Sequence, residues 1–322
     1  MRYAESQTTK QISKIGLGTW QFGSREWGYG GEYEKRTGEI VRAALDSGIT
    51  LFDTAEAYAF GRSERLLGEA LGDARETVFI ATKIFPILPI SSVVQQRAVA
   101  SAARLGVRQL DLYQVHQPNP VVRDGTTMAG MRELQDEHVV AEVGVSNYSL
   151  ARWKDAEHAL GRPVLSNQVL FSLAHADPLD DLVPYAASRG RIVIAYSPLG
   201  QGLLSGRYDA THRPSGGVRR ANPLFLEENL TRATPLLDTL RDVAGTHDVT
   251  PAQVALAWLI HHPGVVVIPG ASSVAQVEAN AAAADIDLAD DEVAALTEQA
   301  RAFRPIGGLT AGRAMLRERL GR

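Results

Sequence analysis

A closed parallel barrel of eight strand–helix units, the (β/α)8 or TIM barrel of the α/β class, is the fold this chain predicts, and three observations carry it. Eight short apolar runs recur at residues 15–20, 49–54, 78–83, 110–116, 140–146, 164–171, 191–197 and 265–269. Amphipathic helical patterns lie between them, as a barrel of this kind requires. The competing doubly wound sheet usually opens with a G-x-G-x-x-G turn directly after a strand, and no such turn follows one here. Gly16-Leu17-Gly18-Thr19 looks similar but falls inside the first strand. The runs are mainly apolar, which fits burial on both faces.

Taken in order, residues 1–14 precede the first strand and are expected to form a short cap over the barrel floor. The helix around 39–45 ends at Gly48, the one around 63–71 at Gly72, and the one over 92–105, striped by Val94, Ala98, Ala102 and Leu105, at Gly106. Glycine past a helix end is the usual left-handed stop. Further helices are predicted at 125–137, 149–160, 180–189, 251–262 and 273–283. About seventy residues separate the seventh and eighth strands where some twenty to thirty would serve, and insertions of that length are usually binding loops or lids. This insertion holds a polar loop at 205–223 and an extra helix near 230–246. A last helix near 290–302 and a basic tail, 303–322, follow the eighth unit. With no composition break or repeat, 1–322 reads as one domain.

Bulk composition removes several function classes. The 322 residues are 45% apolar and 22% charged with a formal net charge of −4, which gives no argument for nucleic acid or a membrane surface. Without cysteine there are no disulfides, thiolate nucleophiles or cysteine metal sites. The segment Met1-Arg2-Tyr3-Ala4-Glu5-Ser6-Gln7 lacks the apolar core of a signal peptide, and no window approaches the roughly 18 apolar residues of a membrane span. A cytoplasmic location is expected; oligomeric state is not legible.

Chemistry concentrates at the strand ends. The second run ends in Asp53 and leads to Tyr58, the third ends in Lys83 and the fourth in His116. In a barrel all these ends open on one mouth. Singly each has an ordinary reading: a packed tyrosine, a turn-capping aspartate, a solvated lysine and histidine. Together, on successive strands, they make a proton-donating set. A phenol is a poor acid at neutral pH; an ammonium beside it stabilises the phenolate, a carboxylate holds the ammonium, and an imidazole can bond the carbonyl oxygen. Later strand ends supply Ser146, Asn147 and Gln168, which can pair with a carboxamide, and Tyr196, a flat face for a ring. After the eighth run, Gly270 and Ser272 open a helix start suited to an anion, with Arg207 and Arg219 in the neighbouring insertion. Trp20, Trp27, Tyr29 and Phe85 lie on loops after the first and third strands and can wall a substrate pocket.

The chain resembles the aldo-keto reductases. The likeness runs through Gly16-Leu17-Gly18-Thr19-Trp20, "FDTAEAYAFGRSE" at 52–64, "ATK" at 81–83, "LDLYQVHQP" at 110–118, "GVSN" at 144–147, "NQ" at 167–168, "YSPLGQGLLSGRY" at 196–208 and "IPGASSVAQVEAN" at 268–280. It covers nearly the whole chain in order and is closest to the bacterial branch that includes channel β-subunit-like proteins. The resemblance implies an NADP(H)-dependent reductase of aldehydes or ketones with no metal, Tyr58 as proton donor, and Asp53, Lys83 and His116 completing the tetrad. It implies that Thr19, Trp20 and Asp53 border the cofactor, that Ser146, Asn147 and Gln168 hold the carboxamide, and that Tyr196 stacks on the nicotinamide. Ser197, Pro198, Leu199, Gly202, Ser205 and Arg207, with Arg219 nearby, would line the pyrophosphate; Gly270, Ser272, Gln276 and Asn280 would take the adenosine 2′-phosphate end. This chain has Gly270-Ala271 and Gln276 where the mammalian members carry a Lys-Ser pair and an Arg, and Ala279 where a Glu is common, so NADP(H) is preferred with NAD(H) possible. Two other functions fit the same residues: a sugar or polyol dehydrogenase working mainly in the oxidising direction, and a nicotinamide-sensing binding module.

Overall fold

The computed structural model describes residues 1–6, 8–24, 34–214 and 217–320. Eight parallel strands pair in sequence order: β1 Leu17–Gly18, β2 Leu51–Asp53, β3 Phe79–Ile84, β4 Leu110–Val115, β5 Val140–Ser146, β6 Ser166–Leu170, β7 Ile192–Tyr196 and β8 Val265–Val267. Parallel bridges Ile15↔Val267 and Gly18↔Gly270 join the first strand to the last and close the barrel. The helices outside it are α1 Thr37–Asp46, α2 Arg62–Leu71, α3 Ser91–Leu105, α4 Asp124–Asp136, α5 Leu150–Leu160, α6 Leu182–Arg189, α7 Glu227–Thr246, α8 Pro251–His261, α9 Val274–Ala282, α10 Asp290–Ala302 and α11 Gly308–Leu320.

Side chains alternate across each strand. Phe52, Ile80, Tyr113, Val143 and Val193 face the helices and join the large outer core, which includes the fully buried Trp153 and Trp258. Leu51, Phe79, Ala81, Leu112, Ile192, Ile194 and Val266 face inward and fill the barrel floor together with Ile12 from the N-terminal segment. That segment is a hairpin (Tyr3 bridges Ser13 antiparallel) pinned beneath the barrel by a 2.8 Å Lys10–Asp111 ion pair, which is the cap the sequence suggests. Higher up, Gly144 leaves room for the Ser166 hydroxyl, which would lie 2.4 Å from a Cβ there.

The helix stops hold with one exception. Gly48 and Gly106 have φ of 77° and 71°, but Gly72 sits at φ 52°, ψ −129° and leads into a 3-10 turn, Gly72–Glu76. The helix expected at 180–189 starts at Leu182, after a separate 3-10 turn, Asp177–Leu179. In the insertion, α7 spans Glu227–Thr246 and tolerates Pro235 in its interior. The tail is a helix rather than a loose end. The side chain of buried Asn229, in α7, donates to Ile306 O at 3.0 Å and accepts from Ile306 N at 2.7 Å, and Ala311 of α11 is 1% exposed.

Candidate active site

Period-two alternation sets the site. Two residues above inward-facing Leu51, Ala81 and Ile194 come Asp53, Lys83 and Tyr196, and four above Leu112 comes His116. The last inward positions of β2, β3 and β7, and the residue just past β4, therefore deliver polar groups to the mouth. Tyr58 arrives differently, on the one-turn segment Tyr58–Gly61 after β2. Ala59 (φ 47°, ψ 39°) and Phe60 (φ 55°, ψ 48°) are both left-handed in that turn. For residues with a Cβ this conformation costs about 1–2 kcal/mol apiece.

Lys83 lies at the centre and is fully buried. Its Nζ donates to Asp53 Oδ1 at 2.6 Å, to the carbonyl of Thr54 at 2.8 Å and to the Tyr58 hydroxyl at 3.4 Å. His116 meets Tyr58 edge-on with ring centroids 5.8 Å apart, and its Nδ1 is buried without a hydrogen-bond partner. Trp20 is 6.4 Å from Tyr58 by ring centroid and Phe85 is 6.2 Å from His116, so both stand against the tetrad. Trp27 and Tyr29 lie outside the described residues.

Burial dominates the electrostatics. It works against the Lys83 ammonium, yet the Asp53 carboxylate and the Tyr58 hydroxyl more than compensate and hold its pKa above the ordinary lysine value. Burial pushes the Asp53 carboxyl up while Lys83 and Gln168 pull it down. The Tyr58 phenol is also pushed up by burial, opposed by Lys83 and reinforced by Asp53. The net direction corrects the expectation that the ammonium lowers it: Lys83 acts in that sense, but desolvation wins. His116 falls to about 3 through burial and the repulsion of Lys83, so it is a neutral imidazole at pH 7.

The carboxamide candidates form one chain with the tetrad. Tyr196 donates its hydroxyl to Asn147 Oδ1 at 2.9 Å, Asn147 Nδ2 donates to Ser146 Oγ at 3.1 Å, and Ser146 Oγ donates to the Gln168 carbonyl at 2.9 Å. Gln168 Nε2 then donates to Asp53 Oδ2 at 2.7 Å. Thr19 is engaged internally, its hydroxyl donating to the Asp53 carbonyl at 3.0 Å. Ser197 adopts φ 49° above buried Pro198 and half-buried Leu199; Gly202 sits at φ 103° and its carbonyl accepts from Ser205 Oγ at 2.7 Å. Arg219 Nε donates to Gln201 O at 2.8 Å, bracing the same loop, whereas Arg207 is exposed.

At the far end, Gly270 bridges Gly18, and a Cβ on it would lie 1.8 Å from the Gln21 side-chain nitrogen. Gln276 Oε1 accepts from Ser272 N at 2.7 Å and Ser272 Oγ at 3.0 Å, and Asn280 is buried. The N-cap of α9 is Ser273, which accepts from Gln276 N, and not Ser272, whose hydroxyl is engaged by Gln276 Oε1. Sequence reasoning assigned no role to Glu56 and Arg97, although both belong to the site's frame. Glu56 accepts Phe85 N–H at 2.5 Å, and Arg97 grips the same carboxylate at 2.6 and 2.9 Å. Among the described residues no group of three or more His, Asp or Glu is arranged to hold a metal ion, and no helix is long and apolar enough to cross a membrane.

A buried lysine joining a carboxylate to a phenol at a barrel mouth is joined by a direct family match. The Aldo/keto reductase family model matches residues 14–301. The chain belongs to the aldo/keto reductase family. An uncharacterized oxidoreductase of Mycobacterium tuberculosis is 58% identical over 323 residues, with 100% of each chain covered. The methylglyoxal reductase YeaE of Escherichia coli is 32% identical over 288 residues, 88% of this chain and 90% of that protein. Among solved structures, an aldo-keto reductase from Klebsiella pneumoniae in complex with NADPH shares 29% identity and a TM-score of 0.75 over 96% of this chain and 98% of its own. A glycerol dehydrogenase from Gluconobacter oxydans shares 26% identity and a TM-score of 0.83 over 95% and 97%. This aldo/keto reductase is thus an oxidoreductase by family, on the expected eight-stranded barrel.

Proposed function

We propose that the chain catalyses reversible, NADP(H)-dependent reduction of an aldehyde or ketone to an alcohol. Bound NADPH supplies the hydride. The Tyr58 hydroxyl gives its proton to the carbonyl oxygen, and the buried Lys83 ammonium stabilises the phenolate left behind. Asp53 keeps Lys83 charged and oriented. Neutral His116 offers an uncharged hydrogen bond to the carbonyl oxygen. The observation that carries this reading is the Lys83 Nζ held between Asp53 Oδ1 at 2.6 Å and the Tyr58 hydroxyl at 3.4 Å.

The donor set fits a nicotinamide dinucleotide. Ser146, Asn147 and Gln168 offer both donors and acceptors to a carboxamide, and Tyr196 offers a ring beside them. Gly202, at φ 103°, holds a conformation that would strain a residue with a Cβ, and the lack of one on Gly270 admits the Gln21 side chain. NADP(H) rather than NAD(H) is favoured by the relative from Klebsiella pneumoniae crystallised with NADPH. Trp20 and Phe85 border the substrate side. Tyr58→Phe is expected to lower kcat by about 10²- to 10⁴-fold, with NADPH binding by fluorescence titration nearly intact; unchanged turnover would remove Tyr58 from its role. A second reading, a polyol dehydrogenase running mainly toward oxidation, draws on the likeness to the glycerol dehydrogenase. Forward and reverse rates at neutral pH, on an aldehyde and on its alcohol, separate the two.

A further inference from the structure

We propose that Glu56 and Arg97 are positioning residues for the proton donor, a carboxylate–guanidinium fork that sets the Tyr58 turn and the pocket wall from helix α3. The proposal rests on the reading of Tyr58 as donor. Glu56 lies two residues before Tyr58, and its backbone N–H reaches the Lys83 carbonyl at 3.3 Å. Its carboxylate, 9% exposed, is gripped on both oxygens by Arg97, Nη2 at 2.6 Å and Nε at 2.9 Å. This is the two-pronged geometry in which arginine fixes a carboxylate in orientation as well as distance.

The fork also clasps Phe85 from both sides of its backbone. Phe85 N–H donates to Glu56 Oε1 at 2.5 Å, and Phe85 O accepts from Arg97 Nη1 at 3.0 Å. One pair thus binds the loop carrying the donor to the loop carrying the pocket wall, where Phe85 faces His116. A second arginine of α3 supports the same turn from below. Arg104 Nε donates to the fully buried Glu64 at 2.5 Å, and its side chain fills the space a Cβ on Gly61 would need, 2.7 Å away. Gly61, at φ 78°, closes the turn that holds Ala59 and Phe60 left-handed. Strained turns persist only where their surroundings over-determine them, and these two ion pairs fix the two ends of this one, at Glu56 and at Gly61. By contrast, the pair Arg162–Asp136 is 43% and 51% exposed.

The test compares Glu56→Gln, Arg97→Met, Arg97→Lys and the Glu56→Gln/Arg97→Met double variant with wild type and Tyr58→Phe, on a generic aryl aldehyde with NADPH. A displaced donor should lower kcat by about 10- to 100-fold and raise the solvent deuterium isotope effect on kcat, because proton delivery becomes slower. NADPH affinity by fluorescence titration should stay within twofold. The double variant should lose no more than the worse single one, and Arg97→Lys, which keeps the charge without the fork, should fall between. If Arg97→Met does not fold, Arg97→Lys and Glu56→Gln carry the same comparison. Turnover and isotope effect at wild-type values in the fork variants, with Tyr58→Phe inactive, overturn the positioning role alone. Loss of turnover matched by equal loss of NADPH affinity and thermal stability also overturns it, in favour of a general structural role. Turnover retained in Tyr58→Phe overturns the donor assignment and the fork's role together.

Discussion

His116 enters the site with its pKa driven down to about 3 by burial and by the Lys83 ammonium, so at ordinary assay pH it is an uncharged imidazole. Two consequences follow at the scale of single residues. In catalysis, the pH profile of kcat for carbonyl reduction should be level between about pH 5.5 and 7.5, one unit either side of a free imidazole. If Tyr58 is the proposed proton donor, the decline belongs to the alkaline range, where its phenol, raised by burial, finally ionises. A limb near the ordinary histidine value in the profile would contradict this. In stability, the unfolded chain takes up a proton at His116 before the folded one does. Stability therefore falls as pH drops from the unfolded value toward about 3. His262, lowered to about 4 by burial and by His261 and Lys14, adds in the same sense. Urea midpoints should fall from pH 7 to pH 4.5, and less steeply in His262→Phe. Asp53, Lys83 and His116 were legible in the sequence because each can be counted along the inward face of its apolar run, whereas Tyr58 stands on the turn just past β2. Glu56 and Arg97 were not, because the partners lie 41 residues apart and no local period links them.

At the scale of elements, the insertion and the tail stabilise one another. Asn229 is fully buried and spends its side chain on Pro223 O at 2.9 Å and on both backbone groups of Ile306. Asn229→Ala would leave a half-buried N–H and two half-buried carbonyls without this partner, at a cost of about 1 kcal/mol. The expected result is a lower melting temperature with faster amide exchange across 303–320; unchanged exchange there would show that α11 holds without this bridge. Sequence reading left 303–322 as a tail because glycines at 307 and 308 and scattered arginines carry no clean helical stripe. What makes it a helix is a receiving surface: Ala311 is buried, while Leu309 and Leu316 stay exposed. The same limit shortened β1 to Leu17–Gly18, since a strand's length depends on what lies beside it rather than on its own residues.

At the scale of the whole molecule, the barrel is sealed at one end and open at the other. Ile12 is 2% exposed among inward residues of the strands, and closure of the ring is completed by Gly16 N–H donating to Val267 O at 2.7 Å. Ile12→Ala should therefore cost about 2–5 kcal/mol by leaving a cavity in the floor. It should lower the denaturation midpoint with kcat little changed, since the floor lies at the opposite end from Lys83; a large loss of kcat in the folded variant would show the two ends to be coupled.

The order of strands and helices, the closed ring they form, and the four polar groups at its mouth were determined by the sequence itself. All but Tyr58, which the turn after β2 places, rest on a short-range pattern: apolar runs, period-two alternation, and glycine stops. Which charges end up raised or lowered was decided only by the tertiary structure, as was the grip on the Tyr58 turn and the fate of the tail. Those depend on burial and on contacts between residues far apart in the chain. Burial is why Tyr58 rises despite an ammonium 3.4 Å away, and distant contact is why an arginine on α3 reaches the loop that carries the phenol.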